Sequence, residues 1–170
     1  MNIKNLILTA LLAAFALVAF VIEAAFPPIT PIYGIKLGIA NVFTLFALYS
    51  LGRWQAAAVL GIRIALGTII TGQAVSLVYS LCGGLLSFAV MILLKRFFPL
   101  KRLWALSVLC AVAHNTGQLT AAVLMTGTPL LWCYLPVLII SGIITGALTG
   151  VCAQLVLIRL EKISDRKKYK

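Results

Sequence analysis

The sequence predicts an all-α integral membrane protein whose helices form a six-transmembrane-helix bundle. Two properties of the composition support this: 63% of the 170 residues are hydrophobic, and only 10% are charged. The mean hydropathy of +1.14 far exceeds that of soluble globular proteins. A chain of this length cannot hide so much apolar surface from water, so lipid must solvate it. This excludes a secreted domain, a cytosolic enzyme and a disordered tail.

Six apolar segments follow one another along the chain, separated by turns that contain glycine or proline. They are Asn5–Phe26, Ile35–Leu51, Trp54–Thr71, Ala74–Leu94, Leu103–Met125 and Leu131–Ile158. The second segment is short for a span. The first offers an alternative interpretation as a signal peptide, but its apolar run is longer than a usual signal core. We therefore predict one transmembrane domain over residues 1–158 and a basic cytoplasmic tail over residues 159–170.

The positions of the basic residues support an even number of spans. Twelve of the fourteen Lys and Arg residues lie at the two termini or in the second and fourth loops. Cytoplasmic loops collect such residues, so both termini are predicted to face the cytoplasm of a multi-pass protein in the cell membrane. The net charge of +11 is then explained by topology and by contact with anionic lipid, and we expect no nucleic-acid partner.

The sequence does not contain the residue patterns of common catalytic or metal sites. Four cysteines are scattered through the spans without C-x-x-C spacing, and the single histidine has no carboxylate near it in the sequence. A phosphate-binding loop of the G-x-x-x-x-G-K-[ST] type is absent, and so are paired acids that would hold magnesium on a diphosphate. We predict no cofactor and no catalysis by this chain alone, which leaves binding or transport.

Ionisable and amide side chains within the spans are the candidate functional residues, because such groups are costly in a bilayer. The predicted ligand-binding set is Glu23, Lys36, Asn41, Arg63, His114, Asn115, Gln118 and Tyr134. His114 and Gln118 are four residues apart and share a helix face. The predicted topology places the whole set at the midplane or in the outer half, which indicates a pocket open to the outside. Arg63 and Lys36 suit an anionic group of a ligand, although Lys36 also suits a simple interfacial position.

Structural roles are alternatives for the same residues. Glu23 can neutralise Arg63 or Lys36 and so hold the bundle together. Asn115 and Gln118 suit hydrogen bonds between helices as well as they suit ligand contacts. Tyr134 lies at the depth of an ordinary interfacial aromatic belt.

Small residues at four-residue spacing predict close helix contacts. Ala10 and Ala14 form one such pair on the first span, and we consider both internal packing and docking to a separate membrane protein. Gly142, Gly146 and Gly150 form a longer stripe on the last span, for which packing within the bundle is the favoured interpretation.

Five short motifs carry a resemblance to a known family. They are Gly34-Ile35-Lys36-Leu37-Gly38-Ile39-Ala40-Asn41, Arg63-Ile64-Ala65-Leu66-Gly67, Ser80-Leu81-Cys82-Gly83-Gly84, Ala113-His114-Asn115-Thr116-Gly117-Gln118 and Tyr134-Leu135-Pro136. Together they are specific, and the chain resembles, over nearly its whole length, the Gx transporter family, also named component I of heptaprenyl diphosphate synthase. That family is similar to the S components of energy-coupling factor (ECF) transporters.

The resemblance implies a substrate-binding component of an importer, with a pocket near the outer face. It implies a small anionic or amphipathic ligand, such as a vitamin, flavin or isoprenoid precursor. It also implies docking through Ala10 and Ala14 to a transmembrane coupling subunit that works with separate ATPases. The synthase name implies an alternative, a non-catalytic membrane subunit of polyprenyl diphosphate synthesis. A third hypothesis is a structural membrane scaffold without a ligand.

Overall fold

The computed structural model describes residues 2–25, 38–72 and 74–168, with side chains through Ile163, and these residues form helices and turns but no strand. The helices are α1 (Ile3–Ala25), α2 (Asn41–Ser50), α3 (Arg53–Thr71), α4 (Ala74–Leu94), α5 (Leu103–Thr126) and α6 (Leu135–Lys168). Short 3₁₀ turns join α4 to α5 and α5 to α6, at Lys95–Phe97, Leu100–Arg102 and Pro129–Tyr134. The predicted all-α bundle is confirmed.

Among the described residues, five helices are long and apolar enough to cross a membrane, and the chain is a multi-pass membrane protein. The exception is α2, whose 10 residues extend about 15 Å, half of a hydrocarbon core of about 30 Å. Of the predicted second span, Ile35–Leu51, residues 35–37 lie outside the described residues, and residues 38–40 are not helical because α2 begins at Asn41. Gly38 has a φ of +80°, and the turn that it starts runs through Ala40.

The last helix is longer than the apolar run that predicted it. Residues 131–134 belong to a 3₁₀ turn, and α6 then continues for 34 residues, about 51 Å, to Lys168. The predicted tail over residues 159–170 therefore continues the helix as far as the structure describes it. Leu, Glu and Lys are good helix formers, and no glycine or proline follows Gly150 to stop the helix.

The glycine stripe of α6 packs against α5, as the internal interpretation predicts. A Cβ added at Gly146 would lie 2.7 Å from Val108 Cα, and one added at Gly150 would lie 2.7 Å from Trp104 Cα. Gly142 meets the same helix one turn further on. The absence of side chains at these positions lets the two backbones approach closely.

Two more crossings depend on glycine. A Cβ at Gly117 would lie 2.8 Å from the Cys82 carbonyl oxygen and 2.9 Å from Gly83 Cα, so α4 and α5 nearly touch there. The ring of Phe20 on α1 lies over Gly67 on α3, 2.5 Å from the position of a Cβ. These contacts join α4 to α5 and α1 to α3, so α1 is an integral part of the bundle.

Two apolar cores are separated by a polar layer. The larger core contains residues of every helix, namely Leu12, Ala13, Ala16, Leu45, Ala47, Leu48, Ala56, Val59, Met91, Leu103, Leu106, Cys110, Ala153 and Leu157. The smaller core contains Tyr79, Leu119, Ala121, Ala122 and Leu138. Along α5 the larger core ends at Cys110 and the smaller begins at Leu119, and the buried polar residues His114, Asn115 and Gln118 lie between them.

Candidate functional site

The buried polar cluster is centred on Arg63, in the middle of α3. Only 2% of this residue is exposed, and its Nη2 donates a hydrogen bond of 3.0 Å to Oδ1 of Asn41, the first residue of α2. Gly84 on α4 faces the guanidinium and packs closely on α3, since a Cβ there would lie 3.7 Å from Nη2 and 3.1 Å from Cδ1 of both Leu60 and Ile64. The start of α2 is thereby fixed to the centre of α3.

Glu23, near the end of α1, binds the N-terminus of α2. Its Oε1 accepts a hydrogen bond of 3.0 Å from the backbone N–H of Ile39, and the N–H groups of Gly38 and Ala40 also interact with the carboxylate. The charge of Arg63 attracts it as well. The carboxylate therefore binds amides of the turn that leads into α2, and its negative charge complements the helix dipole.

The imidazole of His114 lies between two glycines. A Cβ at Gly38 would lie 2.7 Å from His114 Cδ2, and a Cβ at Gly83 would lie 3.0 Å from His114 Cε1. Gly83 also faces Gln118, whose Cγ would be 2.7 Å from the added Cβ. The predicted shared face of His114 and Gln118 is thus confirmed, and it points to α4.

The remaining predicted residues are placed differently. Nδ2 of Asn115 donates a hydrogen bond of 2.8 Å to the Leu138 carbonyl on α6, so this amide joins two helices. Tyr134 is half-buried in the 3₁₀ turn that precedes α6. Lys36 lies outside the described residues. Ligand contact by these three residues stays a prediction.

Several buried polar atoms of the cluster have no hydrogen-bond partner within the part of the chain that the structure describes. They are Asn41 Nδ2, Arg63 Nε, His114 Nδ1 and Asn115 Oδ1. An unsatisfied buried polar group costs free energy, so native proteins keep few of them. Two of the four atoms are obligatory donors, and a carboxylate or phosphate oxygen of a ligand is the kind of group that would satisfy them.

A narrow cleft begins beside the cluster. Its volume is about 10 Å³, room for about one water molecule, and it lies between α2, α4, α5 and α6. Its lining residues are Gly38, Ile39, Asn41, Val42, Leu45, Met91, Ser107, Cys110, Ala111, Thr145, Gly146 and Thr149. No group of three His, Cys, Asp or Glu residues that could hold a metal ion occurs among the described residues.

Sequence reasoning missed a row of serines on α4. Ser76, Ser80 and Ser87 are fully buried, and their hydroxyls have no partner within residues 2–25, 38–72 and 74–168. Their spacing of four and seven residues places them on one helix face, together with Gly83 and Gly84. That spacing was a detectable signal, but a single serine in a span is a weaker indication of function than a charged group.

The predicted docking residues Ala10 and Ala14 are exposed on α1. The buried face of that helix is formed by Leu12, Ala13 and Ala16, which pack into the larger core. The small residues therefore remain accessible to a membrane partner, and docking through them stays a prediction.

A comparison with models of protein families identifies the family of this chain. The model for heptaprenyl diphosphate synthase component I matches residues 12–156. This chain belongs to the heptaprenyl diphosphate synthase component I family. The matched region of the chain includes part or all of each helix and every described residue of the polar cluster. No curated protein and no solved structure matches the chain.

Proposed function

We propose that this protein is the substrate-binding membrane component of an importer, similar to the S components of ECF transporters. It captures a small anionic or amphipathic ligand from outside the cell, such as a vitamin, flavin or isoprenoid precursor. The observation that supports this most directly is the buried Arg63, surrounded by polar atoms without partners beside the start of a half-length helix.

The electrostatics of Arg63 favour a ligand over a purely structural role. A buried guanidinium is stable only when its charge and its N–H groups are satisfied. Asn41 supplies one neutral acceptor. The Glu23 carboxylate attracts the charge of Arg63 but accepts its hydrogen bond from the Ile39 amide before α2. An acidic group on a ligand would satisfy Arg63 Nε and Asn41 Nδ2 together, as charge-assisted hydrogen bonds do in anion sites.

The interrupted second span also suits binding. Transporters commonly place the N-terminus of a half-helix near the middle of the membrane, where its dipole attracts an anionic substrate group. α2 starts at Asn41, with Gly38 and Ile39 lining the cleft just before it. A ligand that widened this cleft would meet the amide end of α2 and the side chain of Asn41, which is hydrogen-bonded to Arg63.

Transport would require partners. We propose that both termini face the cytoplasm and that the exposed pair Ala10 and Ala14 docks to a coupling subunit served by separate ATPases. The coupling subunit would supply the conformational change that releases the ligand to the cytoplasm.

Native mass spectrometry of gently extracted protein tests the proposal. The wild type should retain a small molecule, and Arg63→Ala should lower its retention at least about tenfold, the effect of losing about 1.4 kcal/mol of binding free energy. Arg53→Ala is the matched control, because Arg53 is exposed at the start of the same helix. Equal retention by both variants, or no retained molecule in any of them, contradicts the proposal.

The family description favours a second candidate, a non-catalytic membrane subunit of heptaprenyl diphosphate synthesis. Co-purification under mild extraction separates the two. A coupling subunit with ATPases supports import, whereas a soluble prenyl diphosphate synthase supports the second candidate.

A further inference from the structure

We infer that the backbone amides at the start of α2 form an anion subsite that the chain's own Glu23 carboxylate occupies until an acidic group of the ligand displaces it. This inference rests on the proposed function and narrows its ligand class to molecules with a carboxylate-sized oxyanion. In this arrangement Glu23 occupies the place of the ligand's acidic group, and it does not contact the bound ligand.

The geometry of the turn before α2 creates the subsite. Gly38 has a φ of +80°, and the N–H groups of Gly38, Ile39 and Ala40 all interact with the Glu23 carboxylate. The hydrogen bond from Ile39 measures 3.0 Å. Successive amides that converge in this way form an anion-binding concavity, and the 10 residues of α2 add their dipole to it.

A second feature, independent of the helix terminus, points to a ligand. Asn41 is 5% exposed, and its Nδ2 has no partner among the described residues. This nitrogen lies 3.1 Å from the position of a Cβ at Gly38, so it faces the turn. Arg63 fixes that orientation by donating to Oδ1 of the same amide. A donor is therefore held beside the three amides and remains available for a second oxyanion oxygen.

The subsite is accessible. Ile39 is 37% exposed and Glu23 is only partly buried, and the cleft begins at Gly38, Ile39 and Asn41. An incoming anion and the Glu23 carboxylate would repel each other at this distance, so the two cannot occupy the amides together. Since Glu23 lies two residues before the end of α1, its side chain can turn towards the exposed surface when the ligand binds.

Chemical rescue separates an exchangeable anion subsite from a fixed helix cap. Glu23→Ala, reconstituted in lipid nanodiscs, should lower the Tm by about 2 to 4 °C, the shift expected for one lost cap in a chain of this size. Sodium acetate should restore at least half of that loss, whereas sodium chloride at equal ionic strength should not. Acetate should leave the wild type unchanged. Glu161→Ala is the matched control, because Glu161 is an exposed acid on α6.

The inference is overturned if acetate fails to raise the Tm of Glu23→Ala, or if it raises the Tm of Glu161→Ala equally. Should Glu23→Ala not fold, hydrogen exchange of Glu23→Gln provides the measurement. The acetate concentration needed to protect the amides of residues 38–41 from exchange should then be several-fold lower in Glu23→Gln than in the wild type. If both proteins need the same acetate concentration, the inference is overturned. These readouts do not require the natural ligand, so a failed rescue with a retained small molecule rejects the subsite alone. A rescue without any retained molecule instead rejects the proposed function.

Discussion

At the N-terminal end of α2 the Glu23 carboxylate accepts a hydrogen bond from the Ile39 amide, whereas at the C-terminal end the Lys95 ammonium donates one of 2.7 Å to the Leu48 carbonyl. Both charges complement the helix dipole, with the acid at the amide end and the base at the carbonyl end. The two ends of this half-length helix are therefore held by the same kind of interaction, each from a different helix or turn.

The polar groups around the two ends differ in how completely they are satisfied. Beside the N-terminal end, Asn41 Nδ2 and Arg63 Nε have no partner in the part of the chain that the structure describes. At the C-terminal end, the Tyr49 hydroxyl donates a hydrogen bond of 2.6 Å to the Phe98 carbonyl, and Lys95 Nζ lies 5.2 Å from the centre of the Tyr49 ring. The C-terminal end therefore anchors α2, whereas the N-terminal end is where the proposed ligand would bind.

Gly38→Ala should have the largest effect on stability. The variant must place a Cβ 2.7 Å from His114 Cδ2 at a φ of +80°. Left-handed strain and overpacking together should lower the free energy of unfolding by about 2–4 kcal/mol. Reversible unfolding in mixed micelles measures the change.

Gly127→Ala is the control for this prediction. Gly127 has a φ of +63°, but no atom lies within 4 Å of its Cβ position, so its cost should be the backbone term alone, about 1–2 kcal/mol. An equal loss in the two variants would show that His114 can move away from the turn and that the N-terminal end is not tightly packed.

Asn41→Asp should change binding more than stability. The new carboxylate keeps an acceptor for Arg63 Nη2 but replaces the unpartnered Nδ2 donor by an acceptor. An anionic ligand would then be repelled, and its retention should fall at least about tenfold, while the free energy of unfolding changes by no more than about 1 kcal/mol. Native mass spectrometry and unfolding of the same preparation test both parts, and unchanged retention would contradict the role of this amide.

Hydropathy and spacing predicted much of the fold. The apolar segments located the long helices, and the four-residue spacing placed His114 with Gln118 on one face, where both meet Gly83. The glycine stripe of α6 packs internally as expected. These features depend on local periodicity, which a sequence displays directly.

The start of α2 could not be predicted in the same way. The apolar pattern continues through Gly38, and the helix begins later because a tertiary contact from Glu23 and a positive φ favour a turn there. Likewise, the hydrogen bond that Asn115 donates to α6 depends on where the Leu138 carbonyl lies, and the spacing of residues within α5 does not reveal that position. The continuation of α6 beyond Ile158 reflects helix propensity, whereas the prediction followed hydropathy.

Lys95→Met should lower stability without changing ligand retention. Methionine keeps much of the apolar stem of lysine but loses the hydrogen bond to Leu48 and the cation–π contact with Tyr49, together worth about 1 kcal/mol. Lys101→Met is the matched control, because Lys101 is exposed in the next turn. A loss of ligand from Lys95→Met would show that binding depends on the anchor.

Tyr49→Phe should have the smallest effect, a loss of about 0.5 kcal/mol in the free energy of unfolding, because only one neutral hydrogen bond, to the Phe98 carbonyl, is lost. The ring that faces Lys95 remains, so combining this variant with Lys95→Met measures how far the two contacts act as one unit. Ligand retention should equal that of the wild type in both the single and the double variant. If retention falls in step with stability, α2 transmits changes from one end to the other as a rigid body, and the division into an anchoring end and a binding end fails.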